Sequence, residues 1–292
     1  MNDENLIKEM KILQDKIEEL NTKINFLIPN QKNSASSYLA IHNLTSPLWP
    51  EAVDPSMICD INSEEDKAER ANSVIDLYIE ENLRNKKFLD FGCGEGHIVT
   101  TAYDNKASYS LGYDIKDVFS PSLKEKNKDS FTTDWSFVEE NGPYDVILMY
   151  DVFDHLENES EADVFNKIKK VLSPQGKLYA RMHPWTSRHG GHVYSECNKA
   201  FVHIALTESE LECFLGKKIN SKVNKNFYPL KKYRDTISAT GFNIITENIV
   251  NQELEPIIKD SKIIEKITKD YDFMDKPTFQ LGINFVDYIL GK

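Results

Sequence analysis

The stretch that most constrains this chain is K-K-F-L-D-F-G-C-G-E-G, from Lys86 to Gly96. Phe88, Leu89 and Phe91 form a short apolar run of the kind buried in a parallel sheet, and glycines follow at 92, 94 and 96. Alternate glycines suit a backbone that must turn sharply and let a ligand approach closely. A glycine-rich turn alone says little, and the next acidic residue strengthens it. Ser108 to Tyr113 reads as a second strand ending in Asp114, about 20 residues past the glycines, where a carboxylate can accept hydrogen bonds from both ribose hydroxyls. A nucleotide-type binding turn is expected here.

The glycine spacing separates two ligand classes. A dinucleotide site carries G-x-G-x-x-G, with a helix N-terminus aimed at a pyrophosphate. Here the third glycine comes one residue early and the acidic Asp90 precedes the turn. D-F-G-C-G-E-G resembles motif I of the class I S-adenosylmethionine-dependent methyltransferases, whose cofactor has no phosphate and carries a sulfonium and an ammonium. Acidic residues beside two positive centres make electrostatic sense. Three later stretches resemble the same family, in order. F-T-T-D-W, ending at Trp135, is similar to its adenine-binding motif, with Asp134 accepting from the exocyclic amine and Trp135 near the ring. Y-D-V-I-L-M-Y, from Tyr144 to Tyr150, resembles the fourth strand, and D-V-F-D-H-L-E-N after it resembles the helix entry of small-molecule members. V-L-S-P-Q-G-K-L-Y-A-R-M-H, from Val171 to His183, resembles the family's helix, Pro-Gly turn and fifth strand.

The resemblance covers roughly residues 65 to 185 and some of the tail. It implies an α/β Rossmann-like fold, a seven-stranded mixed sheet with helices on both faces, with S-adenosyl-L-methionine as cofactor. The implied cofactor contacts are Asp90, Gly92, Gly94, Gly96, Asp114, Ile115, Asp134, Trp135 and Tyr150.

Charge narrows the acceptor. With 47 acidic against 35 basic side chains the net charge is -12, which argues against a broad basic face for nucleic acid. The family's DNA amino-methylating enzymes carry N-P-P-Y or D-P-P-Y after the fourth strand, whereas this chain reads Tyr150-Asp151-Val152-Phe153; no Pro-Cys nucleophile occurs there either. Cys59, Cys93, Cys197 and Cys213 show no C-x-x-C spacing, so neither a structural zinc nor a disulfide framework is expected. No apolar run reaches the ~20 residues of a membrane span and the charged N-terminus does not read as a secretory signal, so the expected location is the cytoplasm.

In chain order, Leu6, Met10, Leu13, Ile17, Leu20, Ile24 and Leu27 step by four and three, which predicts a parallel two-stranded coiled coil over residues 1–30 and hence a homodimer. An amphipathic helix packed on its own domain is the competing reading. Residues 31–62 read as a polar linker and then an irregular stretch whose Trp49 and Met57 suit either a lid over the cofactor or a structural strap. Residues 63–292 form the catalytic domain, with a cap inserted at about 184–228. Ser63 caps a helix running to about Leu83 with Ala71, Ile75, Tyr78 and Ile79 inward; further helices are expected at Glu208 to Leu215, Leu230 to Ala239 and Ile257 to Tyr271. Phe242 to Ile249 and Gln280 to Leu290 read as the last two strands, the final one antiparallel beside the fifth in the family.

Methyl transfer from a sulfonium is an in-line displacement, so the chain must orient the acceptor and, for a hydroxyl, remove its proton. Asp151, His155 and His183 are the candidate bases, His183 foremost because it ends a strand facing the crevice. Arg181 to His192 holds three of the seven histidines and two arginines, and this concentration in an acidic chain points to an anion. Arg181, Arg188, His189 and His192 are therefore candidate contacts to a phosphorylated, nucleotide-linked or carboxylated small molecule, such as a surface-polysaccharide intermediate. A metal at His189 and His192 is the sharper alternative, though Gly190 and Gly191 between them suggest a mobile turn. O-methylation of such a metabolite is the favoured activity. Methylation of tRNA or protein, and a non-catalytic cofactor-binding subunit of a coiled-coil complex, remain open.

Overall fold

The computed structural model describes residues 43–55, 63–79, 81–156, 160–219, 229–261, 263–265 and 276–292, with Lys11 and Lys16. The heptad of residues 2–28, and Met57, lie outside the described residues.

Helix α1, Glu64–Tyr78, starts where the Ser63 side chain accepts from the Asp66 amide, and three acidic residues fill its first turn. Ala71, Val74 and Ile75 form its buried face at helical spacing. It stops at Tyr78, short of the expected Leu83, and the chain runs on extended at Ile79. Ile79 and Leu83 are still buried, so their apolar character serves packing without helix. Strand β1, Lys87–Phe91, then carries four successive buried residues, as a strand covered on both faces should.

The alternation continues through α2 (His97–Asp104), β2 (Tyr109–Tyr113), α3 (Pro121–Lys126), β3 (Phe131–Thr132), α4 (Trp135–Glu140) and β4 (Tyr144–Tyr150). It then passes through α5 (Glu161–Val171), β5 (Leu172–Met182), α6 (Val202–Ala205), α7 (Glu208–Leu215) and α8 (Leu230–Ala239). The chain ends with β6 (Asn243–Asn251), α9 (Pro256–Lys259), α10 (Pro277–Gly282) and β7 (Ile283–Gly291). The seven strands form one sheet in the order β3-β2-β1-β4-β5-β7-β6. Strands β1 to β5 pair parallel, while β7 runs antiparallel to both β5 and β6, as the final strand was expected to do. The β4–β5 register jumps from Tyr144 opposite Leu172 to Val146 opposite Lys177. The Ser-Pro-Gln-Gly segment is thus extruded at the start of β5, where proline cannot donate to the ladder.

Helices α7 and α8 fall on their expected residues, α7 closed by a Thr207–Glu210 capping box and by Gly216 in left-handed geometry. Two other elements differ from expectation. Gln280 to Gly282 complete a helical turn begun at Pro277, so the last strand starts at Ile283. Of the helix expected from Ile257 to Tyr271, Pro256–Lys259 is a short helix and residues 263–265 are helical, while residues 262 and 266–275 lie outside the described residues.

Apolar side chains cover both faces of the sheet. One layer joins Phe153, Phe165, Tyr233 and Ile237 to β4 and β5; the other joins Val74, Ile75 and Ala102 to Phe88, Val146 and Leu148. A separate cluster holds Leu44 and Trp49 against Trp185, Phe201, Ile204, Leu211, Leu254 and Ile258. Trp49 is 4% exposed and its indole donates to the Ala200 carbonyl at 2.9 Å, while Asn198 accepts from the Ala52 and Val53 amides. Residues 43–55 therefore strap the capping segment from outside. Trp49→Ala is expected to lower the unfolding free energy by about 3 kcal/mol in chemical denaturation. An unchanged midpoint would contradict the strap.

Candidate active site

The loop between β1 and α2 is bent by three left-handed glycines, Gly92 at φ 79°, Gly94 at 53° and Gly96 at 95°. The Gly92 and Cys93 amides both donate to the Tyr113 carbonyl, at 2.7 and 3.1 Å, which folds the loop onto the end of β2. A Cβ on Gly92 would meet Val152 Cγ2 at 2.4 Å and one on Gly96 would meet Phe131 Cε1 at 2.2 Å, whereas one on Gly94 would meet nothing within 4 Å. The middle glycine opens onto free space. Its amide donates to Asp114 Oδ2 at 3.1 Å, and Asp114 Oδ1 accepts from the Lys116 amide at 3.0 Å. Each carboxylate oxygen can accept a second donor, so the pair is held in place with capacity left for a diol.

Beside this loop lies a cavity of about 340 Å³, lined by Asp90, the glycine bend, Tyr150 and one face of α1. Lys67, Arg70, Ala71 and Val74 form that face at i, i+3, i+4 and i+7. Sequence reading missed the two cations because it followed the helix's apolar residues; the mixed stripe was the available signal. Asp90 is 2% exposed, and its Oδ2 has no hydrogen-bond partner among the described residues. Burial, then repulsion from Asp114, pushes its carboxyl up to about 7.

At the rim, Lys67 Nζ lies 2.6 Å from Glu95 and 3.5 Å from Glu64, and His97 Nε2 is 3.4 Å from Glu95. Glu64, Glu95 and His97 are the one group among the described residues with ligand atoms close enough for a metal, and Lys67 already compensates the two carboxylates. Asp134 is exposed and caps α4 through the Ser136 amide at 2.9 Å. Trp135 packs edge-on to Tyr113 and Phe91, with centroids 5.2 and 5.9 Å away, and Ile115 is 67% exposed. The Asp114 amide donates to the Thr132 carbonyl at 3.3 Å, which ties the Asp114 turn to the end of β3 just before Asp134.

The two arginines do not present open forks to an anion. Arg181 Nε and Nη2 donate to the two oxygens of Asp287 at 2.7 and 2.8 Å, and Nη1 donates to the Tyr150 hydroxyl at 2.7 Å. Its guanidinium also lies 3.7 Å from the Phe285 ring centroid. Arg188 Nη2 donates to Glu255 at 2.6 Å. A partly buried cation requires a carboxylate partner, and β7 and the Glu255 turn supply them. Arg181 therefore holds Tyr150 at the cavity wall.

The histidines do converge. Asp151, in left-handed geometry at φ 57°, directly follows β4 and places Oδ1 2.9 Å from Nε2 of His183, which directly follows β5. This contact lies off the ring N–H direction, so the buried Oδ1 has no hydrogen-bond donor among the described residues. His183 Nδ1 lies 3.1 Å from the Asn284 carbonyl and 3.2 Å from His189 Nε2. His155 and His192 meet edge-on with centroids 4.6 Å apart. Gly190 and Gly191 are buried rather than the mobile turn expected of them. A Cβ on Gly190 would meet the Trp185 carbonyl oxygen at 2.2 Å, and one on Gly191 would meet His203 Cβ at 2.2 Å. His203 is a packing residue whose Nε2 lies 2.7 Å from the Trp185 carbonyl, with burial depressing its pKa to about 4.

A crevice at the carboxyl ends of parallel strands, with an antiparallel seventh strand beside the fifth, is the arrangement of one class of enzyme. The model of the methyltransferase domain family matches residues 63–247, and the chain belongs to that family, the class I S-adenosylmethionine-dependent methyltransferases. S-adenosylmethionine is its methyl donor. The unpartnered Asp90 oxygen and the open space at Gly94 fit a cationic nucleoside. The chain is similar to an S-adenosylmethionine-dependent methyltransferase from Archaeoglobus fulgidus at 14% identity, covering 77% of this chain and 94% of that one, TM-score 0.46. It is also similar to magnesium protoporphyrin IX methyltransferase from Synechocystis, at 15% identity, 77% and 83% coverage and TM-score 0.44. No curated protein matches the sequence.

Asp90 has a measurable consequence. Its folded pKa near 7 stands above the ordinary 3.8, so the folded state holds the proton more tightly. Its contribution is most favourable below about pH 4 and is lost as pH rises towards about 7. In the cofactor-free protein, Asp90→Asn should gain up to about 4 kcal/mol on wild type between pH 4 and 8, read by denaturant titration at both ends. Parallel pH profiles for the two proteins would contradict this.

Proposed function

We propose that the enzyme methylates a hydroxyl oxygen of a small polar acceptor, with Asp151 and His183 receiving the acceptor's proton. The observation that carries this is the off-axis Asp151–His183 contact, two acid-base groups sharing one space beside Tyr150 at the strand ends. S-adenosylmethionine supplies the electrophilic methyl carbon. In this reading Asp114 accepts from the ribose hydroxyls, Asp90 faces the ammonium, and Lys67 and Arg70 face the carboxylate of the methionyl part. The backbone of Gly92, Gly94 and Gly96 makes room for the nucleoside, while Asp134, Trp135 and Ile115 border the adenine.

With both arginines paired to carboxylates, any recognition of an anionic group on the acceptor falls to the N–H groups of His189 and His192, and His155 orients His192. The net charge of -12 favours a metabolite over a nucleic acid. The heptad of residues 2–28 supports a parallel homodimer, so deleting residues 1–30 should halve the mass in solution; an unchanged mass would remove it.

The test of the reaction is incubation with methyl-labelled S-adenosylmethionine and a fractionated lysate. Label should enter the small-molecule fraction; label in macromolecules, or in nothing, would overturn the reading. Asp151→Asn and His183→Gln should each lower kcat by roughly 10²- to 10⁴-fold with cofactor affinity unchanged. Full turnover in both variants would remove the base assignment.

A further inference from the structure

Three residues far apart in the chain form one row across the sheet, and the row ends at the cavity. Tyr150 on β4 stands opposite Arg181 on β5, and Arg181 stands opposite Asp287 on β7. Both Asp287 oxygens are engaged by Arg181, and Arg181 Nη1 donates to the Tyr150 hydroxyl at 2.7 Å. Arginine can only donate, so the Tyr150 oxygen is the acceptor and its own proton is left to donate elsewhere. That proton has no acceptor among the described residues, Asp151 Oδ1 included. Tyr150 lines the cavity, so a ligand there can take the bond. Burial raises the pKa of this hydroxyl and keeps it protonated, and the charges that bear on it are Arg181, Asp151, Arg70 and Asp287.

Arg70 complements it. This arginine lines the same cavity from α1 and has no ion-pair partner among the described residues, whereas Lys67 one turn earlier is shared between Glu95 and Glu64. An unpaired guanidinium and a neutral O–H on two walls of one cavity suit the two oxygens of a carboxylate. We propose that Asp287 and Arg181 are positioning residues, which hold the Tyr150 hydroxyl as a fixed donor to one oxygen of the cofactor's carboxylate while Arg70 meets the other. This rests on the reading above that the methionyl carboxylate lies beside Arg70.

Neither Arg181 nor Asp287 touches the cofactor in this arrangement; both act through Tyr150. Arg181 sets the direction of the O–H by occupying its oxygen, and an O–H whose oxygen already accepts from a cation is a stronger donor. Asp287 holds the guanidinium by two parallel bonds and compensates its charge. The rings of Phe285, Tyr150 and Tyr78, with centroids 3.7, 4.9 and 5.2 Å from the guanidinium carbon, fix its remaining sides. Tyr78 belongs to α1, so the helix that carries Arg70 rests on the same guanidinium. The donor on β4 and the cation on α1 are thus set against one buried group.

The experiment is calorimetric titration of the full chain with S-adenosylhomocysteine and with its decarboxylated analogue, which keeps the adenosine, the thioether and the amine. Wild type should bind S-adenosylhomocysteine at least about tenfold more tightly than the analogue. Tyr150→Phe, which loses only the hydroxyl, should weaken S-adenosylhomocysteine about tenfold and leave the analogue unchanged. Asp287→Asn should show the same pattern at about three- to tenfold. If it leaves the buried cation uncompensated and unfolds, Arg181→Met combined with Asp287→Leu removes both charges together and carries the same test. A merely structural role would weaken the two ligands equally, so equal losses, or unchanged binding of both, would overturn the positioning role. Arg70→Ala separates the two failures. If it alone abolishes the preference for S-adenosylhomocysteine, the place of the carboxylate stands and the positioning role falls; if the preference survives in every variant, the place of the carboxylate falls as well.

Discussion

The hydrogen bond from the Gly94 amide to Asp114, 3.1 Å long, ties the loop after β1 to the end of β2, and the rest of the crevice is placed by it. Two strand ends that merely lay side by side would leave the glycines free to wander. Here the Tyr113 carbonyl takes two amides of the loop and the Asp114 carboxylate takes a third, so the bend has one shape. That shape turns Gly94 to open space and leaves Asp90 buried beneath the cavity with one oxygen unsatisfied. A buried carboxylate near Asp114 is unfavourable in the empty protein and becomes favourable when a cation arrives.

Charge is treated differently at the ends of β4 and β5. Arg181 and Arg188 are paired with Asp287 and Glu255, so their charges stabilise the walls rather than await a ligand. Arg181 also spans Tyr150 and Phe285, which fixes Tyr150 at the cavity wall. The histidines are gathered separately, His155 edge-on to His192 and His183 edge-on to His189. Paired, fixed charge thus shapes the walls at the ends of β4 and β5.

What could be read from the chain was local. The glycine bend and the helices at Glu208 and Leu230 depend on residues close in sequence, and they stand in the structure as expected. The partners of the arginines do not. Asp287 lies 106 residues beyond Arg181 and Glu255 lies 67 beyond Arg188, so a basic stretch that looked open in sequence is closed in space. Gly190 and Gly191 misled for a related reason: a glycine needed for flexibility and one needed for close packing look alike until the Trp185 carbonyl and His203 are placed against them. Trp49 was ambiguous between lid and strap, and only its bond to Ala200, 151 residues on, decides for the strap.

The most direct measurement is calorimetric titration of the purified protein with S-adenosylhomocysteine, repeated with Asp114→Ala and with NAD. One molecule should bind per chain, Asp114→Ala should weaken it by at least about tenfold through loss of a charged hydrogen-bond acceptor, and NAD should give no heat. Equal affinity in the variant, or heat from NAD and none from S-adenosylhomocysteine, would contradict the placement of the nucleoside on the Gly94 bend.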